Sequence, residues 1–360
     1  MKVPTVSVIM ATYNHELFVA EAINSVLSQD GVNIEFLISD DGSADGTKEI
    51  VSSFRDPRIK FFLNKINRGA CTVINELICH SKGKYIALIN SDDLWMQNKL
   101  RYQLDFLEAN PRIGAIFGRV IFCDKDGQSI DKKKTQFGSV FDRDNRSSSE
   151  WLRLFFDSGN CICHPTMLIR RKCYEVAGLY NNRLRQLPDF DMWIRLVKHF
   201  EIYISERELI NFRILPGENA SSITANNSIR TINEHYLIAY NFFEQVTREQ
   251  LINGFYDLLN IKDIPTKEHL DIEKALLYFH PNYSLGKPYL MIGLIRLYDL
   301  LNSQNHKIVL RKDYGIEDKW FQKKMGNVDV LRPRILALAS QIKFQAIEKL
   351  RTLITHLFSR

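Results

Sequence analysis

The sequence predicts an α/β fold: a mostly parallel sheet flanked by helices, followed by an α-helical C-terminal region. Short apolar, β-branched runs alternate with amphipathic helical stretches in the first third of the chain, each run ends in a polar cluster, and from Ile229 onward the pattern is helical nearly throughout. Strands that alternate with helices need crossover connections. These connections make the strands parallel and gather their carboxyl ends along one edge.

Val6 to Ala11 reads as a buried strand that breaks into Thr12, Tyr13 and Asn14. A helix follows with Val19, Ala22, Ile23 and Val26 on one face. Ile34 to Ser39 is a second strand, closed by Asp40, Asp41, Gly42 and Ser43, and Thr47 to Phe54 is a short helix. Ile59 to Leu63 is a third strand, leading through Asn67, Arg68 and Gly69 to a helix ending near Cys79. Tyr85 to Ile89 is bulky enough for a strand covered on both faces, and it runs out into Asp92 and Asp93. Two adjacent carboxylates at a strand's carboxyl end suit Mg²⁺ or Mn²⁺ carrying a substrate's phosphates. Equally, Asp93 suits the cap of a helix beginning near Leu94. The other clusters also have plain readings, since Asp-Asp-Gly-Ser is good turn chemistry and Asn67 to Gly69 makes an ordinary loop.

From Asn98 a helix with Leu100, Leu104 and Leu107 leads to a strand at Ile113 to Phe117 and a hairpin turning at Lys125 to Gly127. Asp131 to Ser149 is polar and charged and reads as a mobile loop, and Ser147 with Glu150 forms a capping box for the helix Trp151 to Phe156. Pro165 to Arg170 is a further strand. Leu187 to Phe200 has Phe190, Trp193, Ile194 and Val197 at helical spacing, with Asp189 and Asp191 at its amino end, where an acid serves as a cap or as a catalyst. The Ser- and Asn-rich stretch Leu215 to Ser228 reads as a boundary, dividing a domain 1–217 from a helical domain 218–360.

A length of 360 residues suits two domains, 45% hydrophobic residues suffice for real cores, and a net charge of +6 is too mild to argue for nucleic acid. No secretion signal is visible. The longest apolar stretch, Leu285 to Leu301, is interrupted by Lys287, Arg296 and Asp299, short of the roughly 18 uninterrupted residues of a membrane span. The six cysteines show neither paired knuckles nor disulfide-scaffold density, so reduced thiols in a cytoplasm fit. Cys161, Cys163 and His164 lack a second ligand pair for zinc. No GxGxxG follows the first strand, against a dinucleotide-binding dehydrogenase, and a phospho-acceptor receiver domain would end long before this chain does.

Six motifs occur in one order: SVIMATYNHE, ISDDGSADGT, NRGACTVIN, GKYIALINSDDLW, CHPTMLIRR and PDFDMWIRL. Together they make the stretch from about Val3 to Ile214 resemble the family 2 inverting glycosyltransferases with the GT-A fold. The resemblance implies a metal-assisted transfer of a hexose or N-acetylhexosamine from a nucleoside diphosphate sugar, UDP-linked, to a hydroxyl of a glycan or glycolipid. Its setting would be bacterial surface-polysaccharide assembly on the inner face of the membrane. Thr12, Tyr13, Asp40, Asp41, Asn67 and Asp92 would bind the donor nucleotide, with Tyr13 stacked on the base. Asp93, with Asp92, would hold Mn²⁺ or Mg²⁺, His164 would lie on the acceptor side, and Asp189 would be the catalytic base with Asp191 in reserve. Three positions depart from the family pattern: Pro188 replaces the Glu of a Glu-Asp pair, Leu215 replaces the His of an Arg-x-His-Pro-Gly run, and Asn90 replaces the first acid of Asp-x-Asp. Those departures keep a second expectation in view, a nucleotide- or glycan-binding protein that has lost turnover. A nucleotidyltransferase ranks below both, for want of a glycine-rich basic loop.

The last predicted helix, about Arg334 to Phe358, puts Ile335, Leu338, Ile342, Ala346, Leu350, Leu353 and Leu357 on one face amid Arg334, Lys343, Lys349 and Arg351. Such a face either packs on neighbouring helices, which is the favoured reading, or lies on an anionic membrane. Truncation after Asn327 is expected to leave flotation with anionic liposomes unchanged; loss of flotation would instead assign the helix to the membrane surface.

Overall fold

The computed structural model describes residues 3–217, 219, 222–280 and 285–328, so the helix expected at Arg334 to Phe358 lies outside the described residues. The chain divides into two compact units, Met1–Asp257 and Leu258–Arg360.

The first unit is built on a sheet of β1 (Val6–Thr12), β2 (Ile34–Asp40), β3 (Ile59–Leu63), β4 (Tyr85–Leu88), β5 (Leu94–Trp95), β6 (Ile113–Cys123), β7 (Leu168–Arg170) and β8 (Glu201–Arg213). Its order is β3-β2-β1-β4-β7-β6-β8-β5. The half β3-β2-β1-β4 is parallel, as the strand-helix alternation requires. β7 then runs antiparallel to both β4 and β6, β6 is parallel to β8, and β5 is antiparallel to β8. Helices α1 (Val19–Leu27), α2 (Thr47–Ser53), α3 (Ala70–His80) and α4 (Lys99–Ala109) connect the first strands. The apolar face of α1 lies on Val6, Val8, Met10, Phe36 and Ile38 in the core. This is the α/β fold with helices on a mixed, largely parallel sheet that the sequence predicts.

The helix foreseen near Leu94 is instead the short strand β5. Leu94 and Trp95 pair with Asn211 and Ile210, and the Trp95 N–H donates to Ser25 Oγ at 3.1 Å. Burial of Trp95 against β8 outweighs its helical neighbours, and α4 starts only at Lys99. Asp93 is therefore no helix cap. Ser147 and Glu150 do form the expected capping box, at the start of α5 (Ser148–Ser158). The segment before it is held by ring packing of Phe137 and Phe141 against Phe122 and Phe212.

Three further helices, α6 (Arg171–Ala177), α7 (Pro188–Val197) and α8 (Ala225–Tyr240), and then α9 (Arg248–Phe255) complete the first unit. Phe156 of α5 packs against Phe242, Phe243 and Phe255, so the helices after the Ser/Asn-rich stretch share the aromatic packing of α5. In the second unit, α10 (Lys267–Leu276), α11 (Lys287–Leu301), α12 (Gln304–Tyr314) and α13 (Asp318–Met325) surround a core of Ile272, Ala275, Leu276, Leu297 and Leu310. Among the described residues no helix is long and apolar enough to cross a membrane.

A polar clamp aligns the strands at their amino ends. Ser7 Oγ donates to Glu35 Oε1 at 2.6 Å and accepts the Gly83 N–H at 2.7 Å, while Lys60 Nζ and the Lys82 N–H both donate to Glu35 at 2.5 Å. Burial alone would raise the Glu35 carboxyl, but the hydrogen bonds from Lys60, Ser7 and Lys82 more than offset it and hold it below the usual glutamate range. Gly83 sits so close to β1 that a Cβ would lie 2.5 Å from the Ser7 N and 2.8 Å from the Val6 C. Gly83→Ala is therefore expected to cost about 1–3 kcal/mol in chemical unfolding, as overpacking against backbone does; a stability within error of wild type would show that β4 can shift at no cost.

Candidate active site

The parallel strands deliver their polar ends to one edge. Thr12 stands opposite Asp40 in the β1–β2 register, and Ile9 opposite Leu88 brings the turn Asn90–Asp93 beside them. Asp40 Oδ1 accepts the N–H groups of Gly42 at 3.1 Å and Ser43 at 2.8 Å, and its Oδ2 accepts Ser43 Oγ at 2.5 Å. Asp41 accepts the N–H groups of Arg68 at 2.9 Å and Gly69 at 2.8 Å and the Asn64 amide at 3.0 Å. Asp41 thus ties the loop after β3 to the end of β2. Gly42 completes the turn at φ 80°, where a Cβ would meet the Ile66 backbone at 2.9 Å. On this rigid shelf Tyr13 is 45% exposed and Asn67 is exposed, its Oδ1 accepting the Gly69 N–H at 3.2 Å. Thr12 Oγ1 is buried without a hydrogen-bond partner among the described residues.

The acid pair lies deeper, Asp92 7% and Asp93 1% exposed. Asp93 Oδ1 accepts the Arg213 N–H at 2.9 Å and its Oδ2 accepts the Asn90 amide at 2.9 Å. Asp92 Oδ2 accepts the Asn219 amide at 3.0 Å. Burial pushes both carboxyls up, and the neighbouring Asp92 charge raises Asp93 further, well above the usual range. His15, whose Nδ1 is 2.7 Å from Ser91 Oγ, and Arg213 act on Asp92 in the opposite sense. Arg213 is itself committed: it bonds Glu21 at 2.8 Å and the Lys125 carbonyl at 2.7 Å, and its guanidinium lies 4.6 Å from the centre of the Phe18 ring. Ionising both carboxyls therefore carries a cost, which a divalent cation on these hard oxygen atoms would offset. Among the described residues no cluster of three His, Cys, Asp or Glu side chains forms a metal site, so Asp92 and Asp93 would leave most coordination positions to phosphate oxygens and water.

The two acids of α7 differ in surroundings. Asp191 is paired with Arg195 Nε at 3.0 Å and Nη2 at 2.9 Å, and Arg195 also donates to the carbonyls of Ala177 and Leu179, so this acid ties α7 to the turn after α6. Asp189 has no cation partner among the described residues. Its Oδ2 accepts the Asn160 amide at 2.8 Å, its Oδ1 accepts the Phe190 N–H at 2.9 Å, and burial pushes its carboxyl up to about 6. One turn along α7, Trp193 packs edge-on against His164 with ring centres 5.5 Å apart. Burial lowers His164 to about 4, leaving it a neutral imidazole whose Nε2 meets Tyr180 Oη at 2.8 Å. Cys163, next to His164, is buried, and Asp93 and Asp189 both add to the rise of its thiol. Both acids are thus within electrostatic reach of one side chain.

Several residues of this site carried no role in the sequence. Asn90 stands where an acid is expected and instead donates to Asp93. Asn219, visible only as part of the Ser- and Asn-rich boundary, bridges Asp92 to the Arg213 carbonyl, accepting the Leu215 N–H as well. Asn160 and Glu234 lie far from the motifs they support, and nothing local in the sequence marks them.

The family described as glycosyl transferase family 2 matches residues 7–176. An uncharacterised glycosyltransferase of Haemophilus influenzae is 36% identical over 238 residues, covering 66% of this chain and 89% of that protein. One from Rickettsia prowazekii is 30% identical over 251 residues, covering 69% and 74%. Among solved structures, S. aureus TarS 1-349 in complex with UDP-GlcNAc superposes with a TM-score of 0.52 at 17% identity, over 83% of this chain and 86% of that one. The mannosyltransferase PcManGT from Pyrobaculum calidifontis in complex with GDP-Man and Mn²⁺ gives 0.52 at 13% identity, over 90% and 84%. The likeness to these two structures is one of fold.

The raised Asp93 predicts a pH signature in metal-free protein. A carboxyl whose native value lies above its unfolded one favours folding fully below the unfolded value, near 4, and loses that contribution as pH rises through the native value. With a chelator present, the stability of Asp93→Asn relative to wild type is expected to rise from pH 4 to pH 7.5. Melting curves at the two pH values check it; equal stability at both would mean that the pair is not under charge repulsion.

Proposed function

The chain belongs to glycosyltransferase family 2, and from that premise we propose that this glycosyltransferase inverts the anomeric centre of a UDP-linked hexose or N-acetylhexosamine as it moves the sugar to a glycan or glycolipid hydroxyl. The observation that carries the reading is the presence of two features that both act on Cys163: the buried Asp92–Asp93 pair, and Asp189, a partly exposed carboxyl poised near 6.

The donor would lie over the strand ends, its base on Tyr13 and its nucleoside along Thr12, Asp40, Asp41, Asn67 and Asp92. Thr12 Oγ1 is a buried hydroxyl with no hydrogen-bond partner among the described residues, which supports a ligand there. Asp93 and Asp92 would hold Mn²⁺ or Mg²⁺, which when bound offsets the charge that builds on the departing diphosphate. Asp189 does the proton chemistry. Above about pH 6 it is ionised yet more basic than an ordinary carboxylate, so it can take the proton of the acceptor hydroxyl as that oxygen attacks the anomeric carbon. Attack opposite the diphosphate inverts the centre and needs a single base. Asp191, committed to Arg195, is the weaker candidate. Neutral His164 cannot compete for the proton above pH 4 and would line the acceptor side with Trp193. The proposed setting is surface-polysaccharide assembly at the cytoplasmic face of a bacterial membrane.

Incubation with a panel of UDP-sugars and Mn²⁺ is expected to release UDP, and Asp189→Asn to slow release by about 10²–10⁴-fold with donor KM little changed. Tight UDP binding with no release by any form would favour a binding protein. Full metal-dependent activity in Asp93→Ala would remove the metal assignment.

A further inference from the structure

Glu234 of α8 is 5% exposed, and its carboxylate accepts three successive backbone N–H groups: Arg185 at 2.8 Å on Oε1, Gln186 at 2.7 Å and Leu187 at 2.8 Å on Oε2. These amides are the approach to α7. Leu187 is followed by Pro188, which has no N–H of its own, and Asp189 comes next. Two other contacts join the same elements: the His235 ring packs edge-on against Phe190 at 5.4 Å, and the Gln186 side chain donates to Asn227 Oδ1 at 3.3 Å. Position 188 is where the resembled family carries a glutamate. Here the acid at the start of α7 arrives from a different helix.

Three N–H groups spread over both oxygens call for a carboxylate, because a neutral amide offers one accepting oxygen and would turn its own NH2 toward the remaining donors. Among the described residues neither Glu234 nor Asp189 forms an ion pair, and the Glu234 charge reaches Asp189. Around this cluster the Asn160 amide donates to Asp189, burial keeps the Cys71 and Cys163 thiols and the Tyr180 hydroxyl protonated and His235 neutral, and the nearby cations are engaged, Arg230 with Asn227 and Arg195 with Asp191.

We propose that Glu234 is the positioning residue for the catalytic base, anchoring the 185–187 segment so that Asp189 is presented to the acceptor, with its carboxylate acting on Asp189. The inference rests on Asp189 being the base. After burial, Glu234 raises the Asp189 carboxyl, so removing the charge should make Asp189 a weaker base as well as a looser one.

The test uses the full chain with ¹³C-carboxyl aspartate labelling, and the Asp189 resonance is assigned by its loss in Asp189→Asn. In Glu234→Gln, which removes the charge and keeps one of the two accepting oxygens, the Asp189 titration is expected to move down. The acid limb of UDP release should move with it. Glu234→Ala should lower kcat about tenfold or more with donor KM little changed. If Glu234→Ala does not fold, the Glu234→Gln titration still decides. An unmoved Asp189 titration in Glu234→Gln overturns the proposal while leaving the base assignment intact. Retained activity in Asp189→Asn overturns the base assignment, and this inference with it.

Discussion

Two carboxylates buried side by side repel each other, and neither can return to water without unravelling the strand end that carries it. Asp92 and Asp93 are held in that state by geometry on every side: β4 locked to β1 through Gly83 and Ser7, the Arg213 N–H and the Asn90 amide on Asp93, and the Asn219 amide on Asp92. Hydrogen bonds satisfy the lone pairs but do not cancel the charge, because the buried Arg213 is already shared with Glu21. Such a pair is destabilising in isolation and is retained where a ligand supplies the missing positive charge. The rest of the first unit serves to keep this edge stiff.

That stiffness explains why acids that could bind ligand are also structural. Asp40 and Asp41 spend most of their hydrogen-bonding capacity on the turns that follow them, so a nucleotide would meet a preformed shelf. Asp189 is treated differently. With one amide from Asn160 and the first-turn N–H of Phe190, it has no cation among the described residues to hold it ionised, and burial leaves it poised near 6. Burial raises both Asp93 and Asp189, and both act on the same thiol, Cys163.

Much of this was legible in the sequence because local pattern and tertiary role coincide. The parallel strands announce themselves by apolar runs, their crossovers by helical periodicity, and the shared edge follows from topology alone. The motif acids Asp40, Asp41, Asp92, Asp93 and Asp189 all carry a signature within a few neighbouring residues. Leu94 and Trp95 misled, since a helix-compatible dipeptide was claimed by pairing with β8, a contact over 100 residues away in sequence. Asn160, Asn219 and Glu234 were silent for the same reason. Each acts on a partner brought near only by folding, and an asparagine or glutamate in a loop or helix looks like ordinary solvent-facing polarity until its partner is known.

The central claim, that the acid pair exists to hold a cation against a nucleoside diphosphate, is tested most directly by calorimetric titration of UDP into the full-length protein with and without Mn²⁺. Wild type should bind UDP at least about tenfold more tightly with Mn²⁺, about 1.4 kcal/mol, and Asp93→Asn should lose that difference while still folding. Equal UDP affinity with and without Mn²⁺ in wild type, or an undiminished Mn²⁺ effect in Asp93→Asn, would contradict it.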